Sequence, residues 1–290
     1  MQNHLTNAAQ FLAMDSSYEE ANVIVFGAPF DGTTSYRPGT RFAASQMRLE
    51  SDGIETYSPR LDLDLEEFLI CDAGDVSLSN GNTVKILSEI NEVASQIIQD
   101  DKKPLMIGGE HLVTLPVIEA LIKKHPDVHL LHFDAHTDLR DTYHHEKLSH
   151  ATVIRRCWDL LGDHRIYQFG IRSGMKQEFD FALKEQHTYM EPFTVHSVKD
   201  IVAQLAGKKV YITIDLDILD PSIFPGTGTP EPGGITYKEL ETVFEVIKES
   251  TIEVVGADLV ELSPHYDQTN VSTIVACKVL RELALLVAVK

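Results

Sequence analysis

Asp134, His136 and Asp138 stand at every second position directly after the apolar run 128–133. The run reads as a buried strand, and in extended chain positions i, i+2 and i+4 point to one side. Two carboxylates and an imidazole then project together from the end of a hydrophobic strand. Crowded carboxylates repel one another and are costly to desolvate, and a divalent cation is the simplest remedy. Asp-x-His alone could equally be a turn or a helix N-cap, so the motif gains weight from its companions. His111 follows the run 103–107, Asp215 and Asp217 end the run 209–214, and Asp258 and Glu261 lie beyond the run 252–257. In a parallel sheet the C-terminal ends of such strands share one edge, where these groups can converge. Two His and four Asp (His111, Asp134, His136, Asp138, Asp215, Asp217) form an oxygen-rich set that suits Mn²⁺, with Co²⁺ or Fe²⁺ as alternatives. Six ligands exceed the need of one ion with an open position. Bridging carboxylates would hold two ions about 3.5 Å apart, and a water shared between them becomes hydroxide near neutral pH.

The elements that must position these groups alternate along the chain. Short apolar runs at 22–26, 67–72, 103–107, 128–133, 165–170, near Thr188, at 209–214 and at 252–257 read as strands. Helical periodicity marks 43–50, 83–99 (Val84, Leu87, Ile90, Val93, Ala94, Ile97), 113–124, 152–161, 238–249 and 271–289, with another helix starting near Ser197. The strands are continuously apolar, as in a parallel sheet covered on both faces. The expectation is one doubly wound α/β domain over 1–290, with a closed eight-stranded barrel as the alternative. Residues 1–20 read as a loose arm or a surface helix. The Gly-, Ser- and Thr-rich stretch 29–41 reads as a loop at a strand end, a usual place for binding groups, and carries no phosphate-loop motif.

The composition excludes some partners. The net charge of −19 (25 basic, 44 acidic residues) argues against a nucleic-acid backbone and mildly favours a cationic ligand. No run approaches the roughly 20 apolar residues of a membrane span, and the N-terminus lacks the basic start and apolar core of a signal peptide. Cys71, Cys157 and Cys277 are far apart and odd in number, which points to a reducing compartment, the cytoplasm, and to small buried residues rather than ligands.

Gly108-Gly109-Glu110-His111, Asp134-Ala135-His136-Thr137-Asp138 and Asp215-Leu216-Asp217-Ile218-Leu219-Asp220-Pro221 resemble the three signature motifs of the ureohydrolases, the arginase–agmatinase family of binuclear manganese enzymes. The resemblance runs from Gly27 to the C-terminus. It implies a three-layer α/β/α fold with a mainly parallel, about eight-stranded sheet, and trimers or hexamers. It implies one Mn²⁺ on His111, Asp134, Asp138 and Asp215 and a second on His136 and Asp217, with Asp134 and Asp215 bridging. His150 matches the family's loop histidine, and Glu261 the glutamate that holds the guanidinium group. In the implied reaction a shared hydroxide attacks the guanidinium carbon, Asp138 carries the proton to the departing amine, and urea and an amine result. His150, at its ordinary pKa of about 6.5, would export protons.

The loops 27–41 and 224–234 look like the agmatinase branch. The Asn-x-Ser segment by which arginases grip the α-carboxylate is missing, and 145–150 reads His-Glu-Lys-Leu-Ser-His instead. A small cationic guanidino substrate without a carboxylate, agmatine, is expected, giving putrescine for polyamine synthesis. Guanidinobutyrate, arginine or formiminoglutamate are the alternatives, and Ala151, where the family usually has Gly, bears on that choice. A metal-retaining scaffold without catalysis and a single-zinc deacetylase are the competing classes; intact Asp138, His150 and Glu261 speak against the first and two Asp pairs against the second. Among other polar residues, Glu110 is expected to orient its loop, His132 to be a satisfied core histidine, Asp220 to brace the turn at Pro221 behind the ligands, and His144, His145, His164 and His265 to lie at the surface.

Overall fold

The computed structural model describes residues 5–6 and 9–290. Its strands are β1 (Leu5–Thr6), β2 (Val23–Ala28), β3 (Tyr57–Ser58), β4 (Leu63–Asp64), β5 (Ile70–Val76), β6 (Lys103–Gly108), β7 (His129–Phe133), β8 (Ile166–Ile171), β9 (Tyr189–Pro192), β10 (Lys209–Asp215) and β11 (Glu253–Val260). Its helices are α1 (Ala43–Glu50), α2 (Thr83–Gln99), α3 (Thr114–Lys124), α4 (Val153–Leu161), α5 (Lys176–Phe179), α6 (Val198–Gln204), α7 (Tyr237–Glu249) and α8 (Val271–Val289).

One nine-stranded sheet runs in the order β1-β5-β2-β6-β11-β10-β7-β8-β9. The eight strands from β5 to β9 pair in parallel, and β1 adds to the edge antiparallel to β5. The sheet is open, so the barrel alternative is overturned. The arm is not a surface helix: Leu5 and Thr6 pair with Val76 and Asp75, and Asp15 bridges Cys71. Successive strand residues feed opposite cores. Val23, Val25, Leu131, Phe133, Ile212 and Ile214 pack with α1, α6, α7 and α8, while Ile24, Phe26, Leu130 and Tyr211 pack with α2, α3 and α4. Two faces covered by helices explain why the strands are apolar throughout.

Helix α2 buries Ile86, Leu87, Ile90, Val93, Ala94, Ile97 and Ile98, and Asn82 Oδ1 caps it by accepting from the Lys85 N–H. Val84 lies on the exposed face of that helix, outside the apolar stripe expected for it. Helix α7 starts at a Thr236/Glu239 capping box. The small hairpin β3–β4 and the short α5, continued by a π-helical stretch Asp180–Lys184, were not expected from the periodicity. All of the strand ends that carry the polar motifs lie side by side, because β6, β11, β10 and β7 are consecutive neighbours in the middle of the sheet.

Candidate metal centre and substrate pocket

Strand β7 stops at Phe133, and the chain turns away from the sheet over 134–138. Asp134, His136 and Asp138 still converge, but not through a continued extended strand as the alternation suggested: Asp138 has φ 51°. That left-handed conformation is uncommon for a non-glycine residue and costs on the order of 1–3 kcal/mol. Glu178, buried at the start of the segment after β8, holds it. Its Oε1 accepts from the Thr137 hydroxyl (2.5 Å) and the Leu139 N–H (3.1 Å), one residue either side of Asp138. Asp215 is the last residue of β10, and Asp217 lies in the next turn, donating its N–H to Asp215 Oδ1 at 2.8 Å.

The six residues form two donor clusters around Asp134. His111 Nδ1 lies 3.0 Å from Asp134 Oδ2, 3.3 Å from Asp215 Oδ2 and 3.4 Å from Asp138 Oδ2. His136 Nδ1 lies 2.9 Å from Asp217 Oδ2 and 3.5 Å from Asp134 Oδ1. Asp134 thus turns one oxygen to each imidazole. Backbone amides hold the carboxylates: the His136 N–H donates to Asp134 Oδ1 (2.5 Å), and the Ala135 N–H to Asp217 Oδ1 (3.1 Å).

This donor set fits divalent cations. His111 Nδ1 is buried and makes no hydrogen bond although three carboxylate oxygens face it. A bonding chain explains why. His111 Nε2 meets Thr213 Oγ1 at 2.9 Å, and the Thr213 hydroxyl donates its one proton to Asp258 Oδ1 at 2.5 Å, so Nε2 must donate. Tyr211 completes the chain, donating to Asp258 Oδ2 at 2.8 Å. In the neutral imidazole the Nδ1 lone pair then faces anionic oxygens, an arrangement that a bound cation resolves. Burial, then repulsion from Asp134, pushes Asp138 well above the usual carboxylate range; burial, then Asp217 and Asp134, does the same to Asp215. Against the effect of burial, the surrounding carboxylates raise His111 and His136.

Asp258 was expected beyond the last strand among the converging groups. It lies inside β11, wholly buried, and faces Tyr211 and Thr213. His132 is a satisfied core histidine. Gln168 donates to its Nδ1 (3.1 Å), so its Nε2 donates to Asp134 Oδ2 (2.8 Å). Asp220 braces its loop through the N–H groups of Ser222, Gly233 and Gly234 and makes no contact with the clusters. His144, His145, His164 and His265 are exposed and the three cysteines are buried.

The clusters floor a pocket lined also by Ser35, Thr137, Arg140, Tyr143, His150, Ala151, Ser173, Gly174, Glu178, Thr229 and Glu261. Glu261 follows β11 with φ 66°, a second left-handed residue at the site. Its Oε1 accepts the His111 N–H at 2.9 Å, and burial, then Glu110, pushes its carboxyl up to about 8. His150 begins the turn before α4, and Ser35 Oγ lies 3.3 Å from its Nε2. Burial, then the neighbouring His136, pushes it down to about 4, which corrects the expectation of an unperturbed imidazole. An imidazole of such low proton affinity is suited to a neutral hydrogen-bonding role rather than to carrying a proton. Ala151 is among the residues lining this pocket. Reading from motifs missed Glu178, Arg140 and Arg172. Arg140 lies over Tyr143 and pairs with Glu178 at 3.5 Å. Arg172 donates to the carbonyls of Asp217 (2.6 Å), Ile218 (3.2 Å) and Glu231 (2.9 Å), fastening the 217–231 loop to the end of β8. Only Arg140, two residues past Asp138, carried a positional signal.

The profile described as Arginase family matches residues 21–286. An agmatinase from Bacillus cereus is 49% identical over 276 residues, 95% of both chains. A guanidinobutyrase from Pseudomonas aeruginosa is 33% identical, covering 97% of this chain and 88% of its own. Among solved structures, a Clostridium difficile protein provisionally assigned as an agmatinase superposes with a TM-score of 0.93 at 59% identity, covering 94% of this chain and 99% of its own. These identities and the shared fold place the chain in the arginase family of ureohydrolases, on its agmatinase branch.

Proposed function

We propose that this chain hydrolyses agmatine to putrescine and urea, using two divalent ions, manganese by the character of the donors. The observation that carries the reading is the pair of donor clusters sharing Asp134 in a pocket that Glu261 also lines. His111, Asp134, Asp138 and Asp215 would hold one ion, and His136 and Asp217 the other, with Asp134 and Asp215 between them. Bound there, the ions would supply charge stabilisation and a water acidified to near neutral pH.

The chain's own residues do the rest. Glu261 takes the guanidinium by charge-assisted hydrogen bonds, and a cation beside this carboxyl draws it back to its ionised form. Asp138, whose proton affinity is raised, accepts a proton and passes it to the departing amine nitrogen. His150, at the pocket wall, accepts a hydrogen bond from the guanidinium or the departing amine and so helps to orient it. The identity to agmatinases supports agmatine, as does a pocket wall whose one cation, Arg140, is already paired with Glu178. Guanidinobutyrate is the second reading, supported by the guanidinobutyrase at 33% identity.

We further place the chain in the cytoplasm, which its three free cysteines support, and take it as one domain because a single sheet runs through it. A homo-oligomer, trimer or hexamer, is carried over from the family resemblance alone. Urea release from agmatine, guanidinobutyrate, arginine and formiminoglutamate, after chelation and reloading with Mn²⁺, tests the reading. Agmatine should lead by at least tenfold. No urea from any of them with metal bound would end the enzyme reading, and equal turnover of arginine would end the branch reading.

A further inference from the structure

We infer that Glu110, acting through Thr33, fixes the tautomer of His150, so that the imidazole carries its proton on Nδ1 and turns the Nε2 lone pair toward the pocket. The inference rests on the reading of His150 as a member of the hydrolytic pocket. Its starting point is a close approach of two backbones. A Cβ on Gly109 would meet the Phe30 carbonyl oxygen at 1.9 Å, and the Glu110 N–H donates to that oxygen at 2.8 Å. This contact seats the buried Glu110 side chain under the loop that follows Phe30.

Three donors reach the Glu110 carboxylate. They are the Thr33 N–H at 2.8 Å, the Thr33 hydroxyl, and the Thr34 hydroxyl at 3.3 Å. Three converging donors favour Glu110 as the ionised acceptor, and the single proton of the Thr33 hydroxyl is then used in the bond to it. Thr33 Oγ1 is therefore an acceptor for every other neighbour. It accepts the His150 N–H at 3.1 Å and stands 3.4 Å from His150 Nδ1. An Nδ1–H can donate to it, whereas an Nδ1 lone pair would oppose an oxygen lone pair. The other hydroxyls at the ring do not decide the matter. Ser149 Oγ, 3.2 Å from Nδ1, and Ser35 Oγ, 3.3 Å from Nε2, can each donate or accept. Only Thr33 is committed, and it is committed by Glu110. The two are positioning residues: neither touches the reacting atoms, yet together they set which ring nitrogen offers its lone pair to the pocket.

The test uses the full-length protein with ¹⁵N-labelled histidine, loaded with Mg²⁺ so that spectra are not broadened, and with the His150 signals identified by their loss in His150→Gln. The ring should be protonated on Nδ1. Thr33→Val, which keeps the shape and removes the hydroxyl, and Glu110→Gln, which can offer a donor in place of the acceptor, should each give a mixture of tautomers. In the manganese-loaded protein Thr33→Val should lower kcat for agmatine about tenfold with KM changed less than about twofold. Thr33→Ser should restore both the tautomer and kcat. A wild-type ring protonated on Nε2, an unchanged Nδ1–H population in Thr33→Val, or a Thr33→Val effect confined to KM overturns the inference. The tautomer is read without substrate, so a protein that fails to hydrolyse agmatine defeats the functional reading and leaves this measurement standing.

Discussion

The two donor clusters share Asp134 but not their surroundings. Around His111 everything is dry and tied: the ring is 1% exposed, and its Nε2 leads through Thr213 to Asp258 and Tyr211. Around His136 the support is looser. Its side chain is 23% exposed, and its Nε2 faces the half-exposed Glu231 carboxylate at 3.8 Å, beyond hydrogen-bond length. The deep cluster is built on the ends of β6, β7 and β10 with β11 behind it, and the outer one on a turn and a loop. The difference teaches that one site can rest partly on strand ends and partly on loops. A ligand whose far nitrogen is fixed loses less freedom on binding a cation, so the deep cluster should hold its ion more tightly.

Asp134→Ala is the variant that should erase the comparison, because both clusters lose a donor at once. Metal analysis after gel filtration should find neither ion retained, with urea release from agmatine down by about 10³-fold or more. A variant that keeps one ion would show that Asp134 is not shared. Acid should instead sharpen the contrast. His111 and His136 are raised by their carboxylates, and Asp138 and Asp215 by burial and repulsion, so protons compete for these donors well above the ordinary carboxylate range. Each donor must lose its proton to bind a cation, so affinity falls as pH falls. Isothermal titration with Mn²⁺ at stepwise lower pH should show the weaker binding event disappear first; simultaneous loss of both would contradict the asymmetry. Smaller still is the effect of the supports. Thr213→Val should weaken the tighter binding event about 10- to 100-fold, whereas Glu231→Gln, at the longer contact, should weaken the other by no more than about threefold. The reverse order would mean that the exposed cluster is the better supported one.

The deep cluster was also the more legible in sequence. The runs 103–107, 128–133 and 209–214 end where β6, β7 and β10 end, within a residue, because strands buried on both faces are mostly apolar and the carboxylates begin at the sheet edge. Helices α2 and α8 match their periodic stretches at both ends, since an Asn82 cap and an apolar stripe specify the first locally and a long apolar sequence the second. Asp258 was misplaced because a carboxylate in sequence reads as a strand end; a tyrosine and a threonine from β10 satisfy it inside the sheet. The pairing of Leu5 and Thr6 has no local signal, as a two-residue edge strand exists only where a neighbour offers a free edge. The pocket wall was the least legible part. Asp138 and Glu261 reach the site through left-handed backbone, and Glu178 and Arg172 act by gripping amides and carbonyls far away in sequence. No periodicity records such contacts. The N-terminal residues 1–4 and 7–8 of the expected arm lie outside the described residues.

The most direct test of the two-cluster account is a titration of metal-free protein with Mn²⁺, following bound ions per chain and urea release from agmatine together, in the wild type and in His136→Ala. The account predicts two ions in the wild type, with activity rising on the second, and one retained ion with nearly all activity lost in His136→Ala. Full activity at one ion per chain would contradict it.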